Sequence, residues 1–173
     1  MPTLKSKFSA IINEDHVAEL SSWIDRKSTI YSLSFVPYEF QLILRGSRDA
    51  KTFWNMCHGC AGTIVVVKVA GTDEIIGGYN PLTWDNLKIL RRVINSDGAL
   101  FYHNSNKQNI NGPYFGACEF MMKSEVSDFT QDKQCWCSIA LVKYEKPIRT
   151  TSKRFSIYDY EVFKIIKKQI PNR

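Results

Sequence analysis

Thr63-Ile64-Val65-Val66-Val67-Lys68-Val69, followed through the turn Gly71-Thr72-Asp73-Glu74 by Ile75-Ile76-Gly77-Gly78-Tyr79-Asn80-Pro81, decides how this chain folds. The first run is almost uniformly β-branched, which suits a central strand buried on both faces, because branched side chains are stiff at χ1 and pack well on a pleated surface. The turn returns the chain into a second strand, so the two form a hairpin. Pro81 stops the second strand because it has no amide hydrogen to donate.

Upstream, Tyr38, Phe40, Leu42 and Leu44 alternate with Glu39, Gln41, Ile43 and Arg45, the two-residue period of a half-buried strand. Asp49 or Ser47 can then cap a short helix carrying Phe53, Trp54 and Cys57, which Gly59 closes. Further upstream, Asn13 caps a helix from Glu14, with Arg26 and Lys27 in its last turn and Val17, Leu20, Trp23 and Ile24 sharing an apolar stripe. Downstream, Trp84 to Ile94 reads as a helical segment, Ala99 to Tyr102 as a short strand and His103 to Gly112 as a polar loop. Phe115 to Met122, Ser138 to Tyr144 and Phe155 to Ile165 are further strands. Strands outnumber helices and the order is mixed. This argues against a doubly wound parallel sheet and for an α+β fold, a β-sandwich of two mostly antiparallel sheets flanked by short helices.

At 173 residues the chain has the size of one domain. Residues 1–34 read as an N-terminal helical extension packed on a unit spanning 35–173. The composition, 44% hydrophobic and 23% charged, is that of a globular protein. The longest apolar run, Ile64 to Val67, is far too short to span a bilayer, and the N-terminus leads into no apolar signal region, which points to a cytoplasmic chain. Charge is uneven: residues 1–142 carry 14 Lys or Arg against 14 Asp or Glu, and residues 143–173 carry 9 against 3, hence the whole net charge of +6. That segment reads as a basic face, either simply solvated or suited to an acidic protein, an anionic membrane or nucleic acid. Nucleic acid is the weakest of these readings, since no binding-fold signature organises the lysines.

The cysteines invite chemistry and largely decline it. Five of them (Cys57, Cys60, Cys118, Cys135 and Cys137) make no even disulfide framework. Cys57-His58-Gly59-Cys60 falls at the end of a helix, where the dipole disfavours a thiolate, so a structural role outweighs a redox one. Cys135-Trp136-Cys137 is read as extended, with its two thiols on opposite faces, which argues against a zinc site shared with Cys57, Cys60 and His58. His16, His58 and His103 have no nucleophile elbow or phosphate loop to serve, and Gly77-Gly78 closes a strand instead of opening a helix. No catalytic residue, cofactor or metal is indicated.

Four landmarks in order, Arg45-Gly46-Ser47-Arg48-Asp49, the hairpin ending in Gly77-Gly78-Tyr79 with Trp84 beyond it, Gly112-Pro113-Tyr114-Phe115-Gly116, and the terminal strand Phe155 to Phe163 with Glu161, resemble the TLDc domain, in particular its fungal members. This chain departs from many relatives in having Ala50 where they carry Gly after the Arg-Asp pair. The resemblance implies a β-sandwich, a non-enzymatic protein-interaction role in resistance to oxidative stress, and binding and regulation of the vacuolar proton-pumping ATPase. It also implies that the chain can stand alone or follow a BTB or Kelch-type region. Arg45, Arg48 and Asp49 read as architecture, Asp49 holding helix amides and Arg48 making a fork-like bond. Gly77 and Gly78 allow close backbone approach, and Tyr79 and Trp84 seal a sandwich end. Tyr79, Lys164, Lys167 and Lys168 are the candidate partner-binding residues. The rival reading is a thiol-based antioxidant enzyme using Cys57 and Cys60.

Overall fold

A computed structural model describes residues 8–46, 48–84, 105–116, 119–139 and 148–169. Two α-helices and six strands occur among them: α1 (Glu14–Ile24), β1 (Tyr38–Arg45), α2 (Ala50–Cys57), β2 (Thr63–Val69), β3 (Ile75–Asn80), β4 (Asn111–Phe115), β5 (Phe120–Lys123) and β6 (Ile157–Lys167). One antiparallel sheet has the order β1-β6-β2-β3, and β4 pairs with β5 in a second. The result is the expected α+β sandwich.

β2 lies in the sheet interior, between β6 and β3, and every residue in it except Lys68 is buried. Its alternation divides the molecule. Val65, Val67 and Val69 face a large core with Phe53 and Trp54 of α2, Phe115 of β4, and Phe120 and Met122 of β5. Ile64 and Val66 face a smaller cluster with Ile12, Phe40 and Phe163, against which Val17, Leu20 and Ile24 of α1 pack.

Several elements depart from simple periodicity. In β1 a bulge between Leu42 and Leu44 inserts Ile43, so Phe40 joins the smaller cluster while Leu44 joins the large one, and Leu42 is exposed. Strict alternation would have put all three on one face. The run from Phe115 to Met122 is a hairpin and not one strand, because Gly116 turns the chain with φ +63. The polar loop ends early, since β4 begins at Asn111. α1 has the expected Asn13 cap, reinforced by His16, but Arg26 and Lys27 lie beyond its end. Trp23, assigned to the apolar stripe, is exposed, and the small residues Ala18, Ser21 and Ser22 are buried instead. The expected helix beyond Trp84, the strand Ala99–Tyr102, and the strand from Ser138 onward past Ile139 fall outside the described residues.

Candidate functional site

The sequence landmarks converge on two constellations, one on each face of the four-stranded sheet. The first is aromatic and lies in the large core. Asp49 Oδ1 accepts the Thr52 amide at 2.7 Å and so starts α2, whose Phe53 and Trp54 point into the core. Trp84 is fully buried against them, with ring centroids 5.0 Å from Phe53 and 5.8 Å from Trp54, and its indole donates to Thr63 Oγ1 at 2.7 Å. Phe115 stands edge-on to Trp84 at 6.0 Å and fills the space over Gly78, where an added Cβ would come within 2.5 Å of its ring. Gly112 likewise leaves room for Phe129, 2.7 Å from where a Cβ would stand. A Cβ on Gly77 would strike the Val65 carbonyl, and one on Gly116 would strike Glu119.

The second constellation is ionic and lies on the α1 side. Glu161 is buried in the middle of β6, yet its carboxylate accepts from Arg45 Nε at 2.7 Å, from the Ala10 amide at 2.9 Å and from the Ser9 hydroxyl. Arg45 Nη2 also donates to the Phe8 carbonyl at 2.7 Å. A buried carboxylate needs such partners. The guanidinium bond anticipated for Arg48 is therefore made by Arg45. Arg48 is exposed, and its carbonyl accepts the Phe129 amide at 2.8 Å. The landmark Glu161 was legible, but the N-terminal segment that it holds was not. A carboxylate between Tyr160 and Val162 in an apolar strand was the signal for it.

The cysteines sit in packing positions. Cys57, the last residue of α2, is fully buried, and burial pushes its thiol up to about 12. The turn after it is sutured to Trp84 backbone: Gly59 N donates to Trp84 O at 2.8 Å and Trp84 N to Cys60 O at 3.1 Å. Cys60 is half-buried beside the core, and Cys57 and Cys60 are both free thiols. Cys135 and Cys137 are buried in the same core, each with its thiol pushed up to about 12, first by burial. The expectation that they face opposite ways is overturned, since residues two apart in extended chain share a face. Among the described residues no three His, Cys, Asp or Glu side chains gather in metal-holding reach.

The candidate partner residues are divided between the two faces of the sheet. Tyr79 is half-buried on the α1 side, packed on the smaller cluster, and its phenol is raised by burial. Lys164, Lys167 and Lys168 are all exposed, but the parity of β6 puts Lys164 on the large-core face and Lys167 on the α1 face. Lys168 N ties the strand end to Pro37 O at 2.8 Å. Arg149, counted in the basic excess, is consumed by Glu74 at 2.7 Å and by the Phe155 ring. The C-terminal charge is thus distributed over both faces.

The TLDc domain family model matches residues 5–166, nearly the whole length. The chain belongs to the TLDc domain family. The match takes in α1, so the N-terminal segment and its tie to Glu161 lie inside the family region. A search of curated proteins finds no match. In this TLDc domain the landmark residues Gly78, Trp84, Gly112, Phe115 and Glu161 are spent on packing and internal bonds. No helix among the described residues is long and apolar enough to cross a membrane.

Proposed function

We propose that this TLDc domain is a non-enzymatic interaction module of the cytoplasm that supports oxidative-stress resistance by binding and regulating the vacuolar proton-pumping ATPase. The supporting observation is the internal use of the family landmarks Gly78, Trp84, Gly112, Phe115 and Glu161. Trp84 and the glycines serve the core, Glu161 holds the N-terminal segment, and the Cys57 thiol is buried with its ionisation pushed up to about 12. A thiolate is the nucleophile in thiol redox catalysis, and burial suppresses it at Cys57, which counts against a rival antioxidant enzyme that attacks through that residue.

The reading is tested with purified ATPase peripheral subcomplex and surface-immobilised domain. Association that slows as salt rises, and slows again on joint reversal of Lys164, Lys167 and Lys168 to Glu, supports it. Absence of association at low salt overturns it. A parallel assay with peroxide or a disulfide substrate should stay at background, and turnover that is lost in Cys57→Ser/Cys60→Ser would establish the enzyme instead.

A further inference from the structure

Among the described residues, the densest run of exposed apolar side chains lies between residues 23 and 35, on the α1 side of the sheet. Among the described residues eleven large hydrophobics are exposed, and four fall in this short segment: Trp23 at 63%, Ile30 at 64%, Leu33 at 52% and Phe35 at 77%. Such a concentration marks an interaction site. The fold gathers them through polar ties. The Tyr31 amide donates to Ser22 Oγ at 2.9 Å, which brings Ile30 back beside the helix turn that carries Trp23. The hydroxyls of Tyr31 and Tyr38 each donate to Asp25 at 2.6 Å, closing the loop, and the 3₁₀ turn Leu33–Phe35 packs against α1.

Cations surround this surface. Lys27 Nζ stands 4.2 Å from the centre of the Tyr31 ring. Lys167 pairs with Tyr38 across β1 and β6 and lies within Coulombic reach of Asp25. Arg26 is exposed beside Lys27. On the acidic side, Asp25 is committed to two phenols, and Glu19 lies one helical turn before Trp23.

We propose that this patch docks the domain on an anionic lipid bilayer, with Trp23, Ile30, Leu33 and Phe35 entering the interfacial layer and Lys27 and Lys167 meeting lipid phosphates. The chemistry favours a bilayer over a protein. Indole, aliphatic and ammonium groups match the depth profile of a membrane interface, where aromatic rings sit at the headgroups and lysines reach up to phosphate. A protein partner is recognised by directional bonds, and lysine is depleted from protein interface cores. Here the polar groups of the patch, Ser22, Asp25, Tyr31 and Tyr38, are already bonded internally. What is left outward is apolar surface, the short hydroxyl side chains of Ser28, Thr29, Ser32 and Ser34, and positive charge, which a fluid anionic surface accepts without register. The proposal does not depend on the ATPase reading.

The test is sedimentation of the purified full chain with phosphatidylserine-containing phosphatidylcholine vesicles and with pure phosphatidylcholine vesicles. Binding to the first that exceeds binding to the second and falls with salt is the expected result. Trp23→Ser/Phe35→Ser should lower the partition at least about tenfold, and Lys27→Glu and Lys167→Glu each about fivefold or more. Lys164→Glu, on the other sheet face, is the control and should change little. Unchanged melting temperatures make these losses attributable to the surface. Three results overturn the proposal: no binding to the anionic vesicles, equal losses for Lys164→Glu and Lys167→Glu, or wild-type vesicle binding by Trp23→Ser/Phe35→Ser.

Discussion

The two faces of the central sheet are closed by different physics. On one, aromatic rings from α2, β4 and Trp84 interlock over Val65 and Val67, and the bonds among them are few and buried. On the other, α1 and the N-terminal segment lie over Ile64, Val66 and Phe163, and the closure relies on Glu161 inside and Asp25 at the rim. Dense apolar packing makes one face intolerant of lost volume, while polar ties make the other adjustable. The apolar surface left outward, from Trp23 to Phe35, belongs to the adjustable side.

The strongest way to break this contrast is Trp84→Ala. It removes the ring against which Phe53, Trp54 and Phe115 all pack and leaves the Thr63 hydroxyl without its donor. A loss of about 4 kcal/mol is expected in urea denaturation. A loss under about 1 kcal/mol, within reach of an ordinary surface change, would mean that this face is not a packed core.

Glu161→Gln probes the opposite face. Replacing one carboxylate oxygen by an amide nitrogen turns a donor towards groups that already donate, namely Ser9, Ala10 and Arg45. The expected cost is about 2 kcal/mol, because Arg45 is partly exposed and can hydrate. Proteolysis should then cut ahead of α1 sooner than in the parent protein. Unchanged cleavage there would show that packing of Phe8 on Phe163, not the carboxylate, retains the segment.

Val67→Ala and Val66→Ala compare the faces most directly, since the two residues are neighbours on β2 and equally buried. About 2 kcal/mol is expected for Val67, among fixed aromatic rings, and about 1 kcal/mol for Val66, where α1 can settle into the gap. Equal losses would abolish the distinction.

The sequence made one face far more legible than the other. The large core follows from local signals: the β-branched run of β2, the Asp49 cap, and glycines where rings must approach. The bulge at Ile43 left no trace, because an apolar residue fits both the alternating pattern and the insertion. Trp23 misled because helical spacing reports a stripe but not how closely the helix approaches. α1 buries Ala18, Ser21 and Ser22, and contact through small side chains leaves a large one outside. The partners of Glu161 lie 116, 151 and 152 residues away in sequence, beyond any periodic signal. The lysines were read as one group because charge counts carry no parity. Strand β6 separates Lys164 from Lys167.

The smallest expected effect is at the rim, where Tyr38→Phe removes one bond to Asp25. The Tyr38 phenol is pushed up to about 12, first by its hydrogen bond to the Asp25 carboxylate and then by burial. Asp25 is held below its usual value of 3.8, first by the Tyr31 hydrogen bond and then by that of Tyr38, with Lys167 and Lys27 adding to the shift. The signs fix a window. The lowered carboxyl contributes stability that is present above 3.8 and fades as pH falls through its folded value, while the raised phenol contributes stability that is present below 10.0 and fades as pH climbs towards 12. Between these limits Tyr38→Phe should cost no more than about 0.5 kcal/mol, since the carboxylate is exposed and well solvated. The difference between parent and variant should shrink in acid, as the protonated carboxyl no longer draws on the phenol. A difference that stayed constant from pH 7 down through Asp25 titration would assign the cost of the substitution to lost packing against the smaller cluster, and the α1 face would then be held by apolar contact like its opposite.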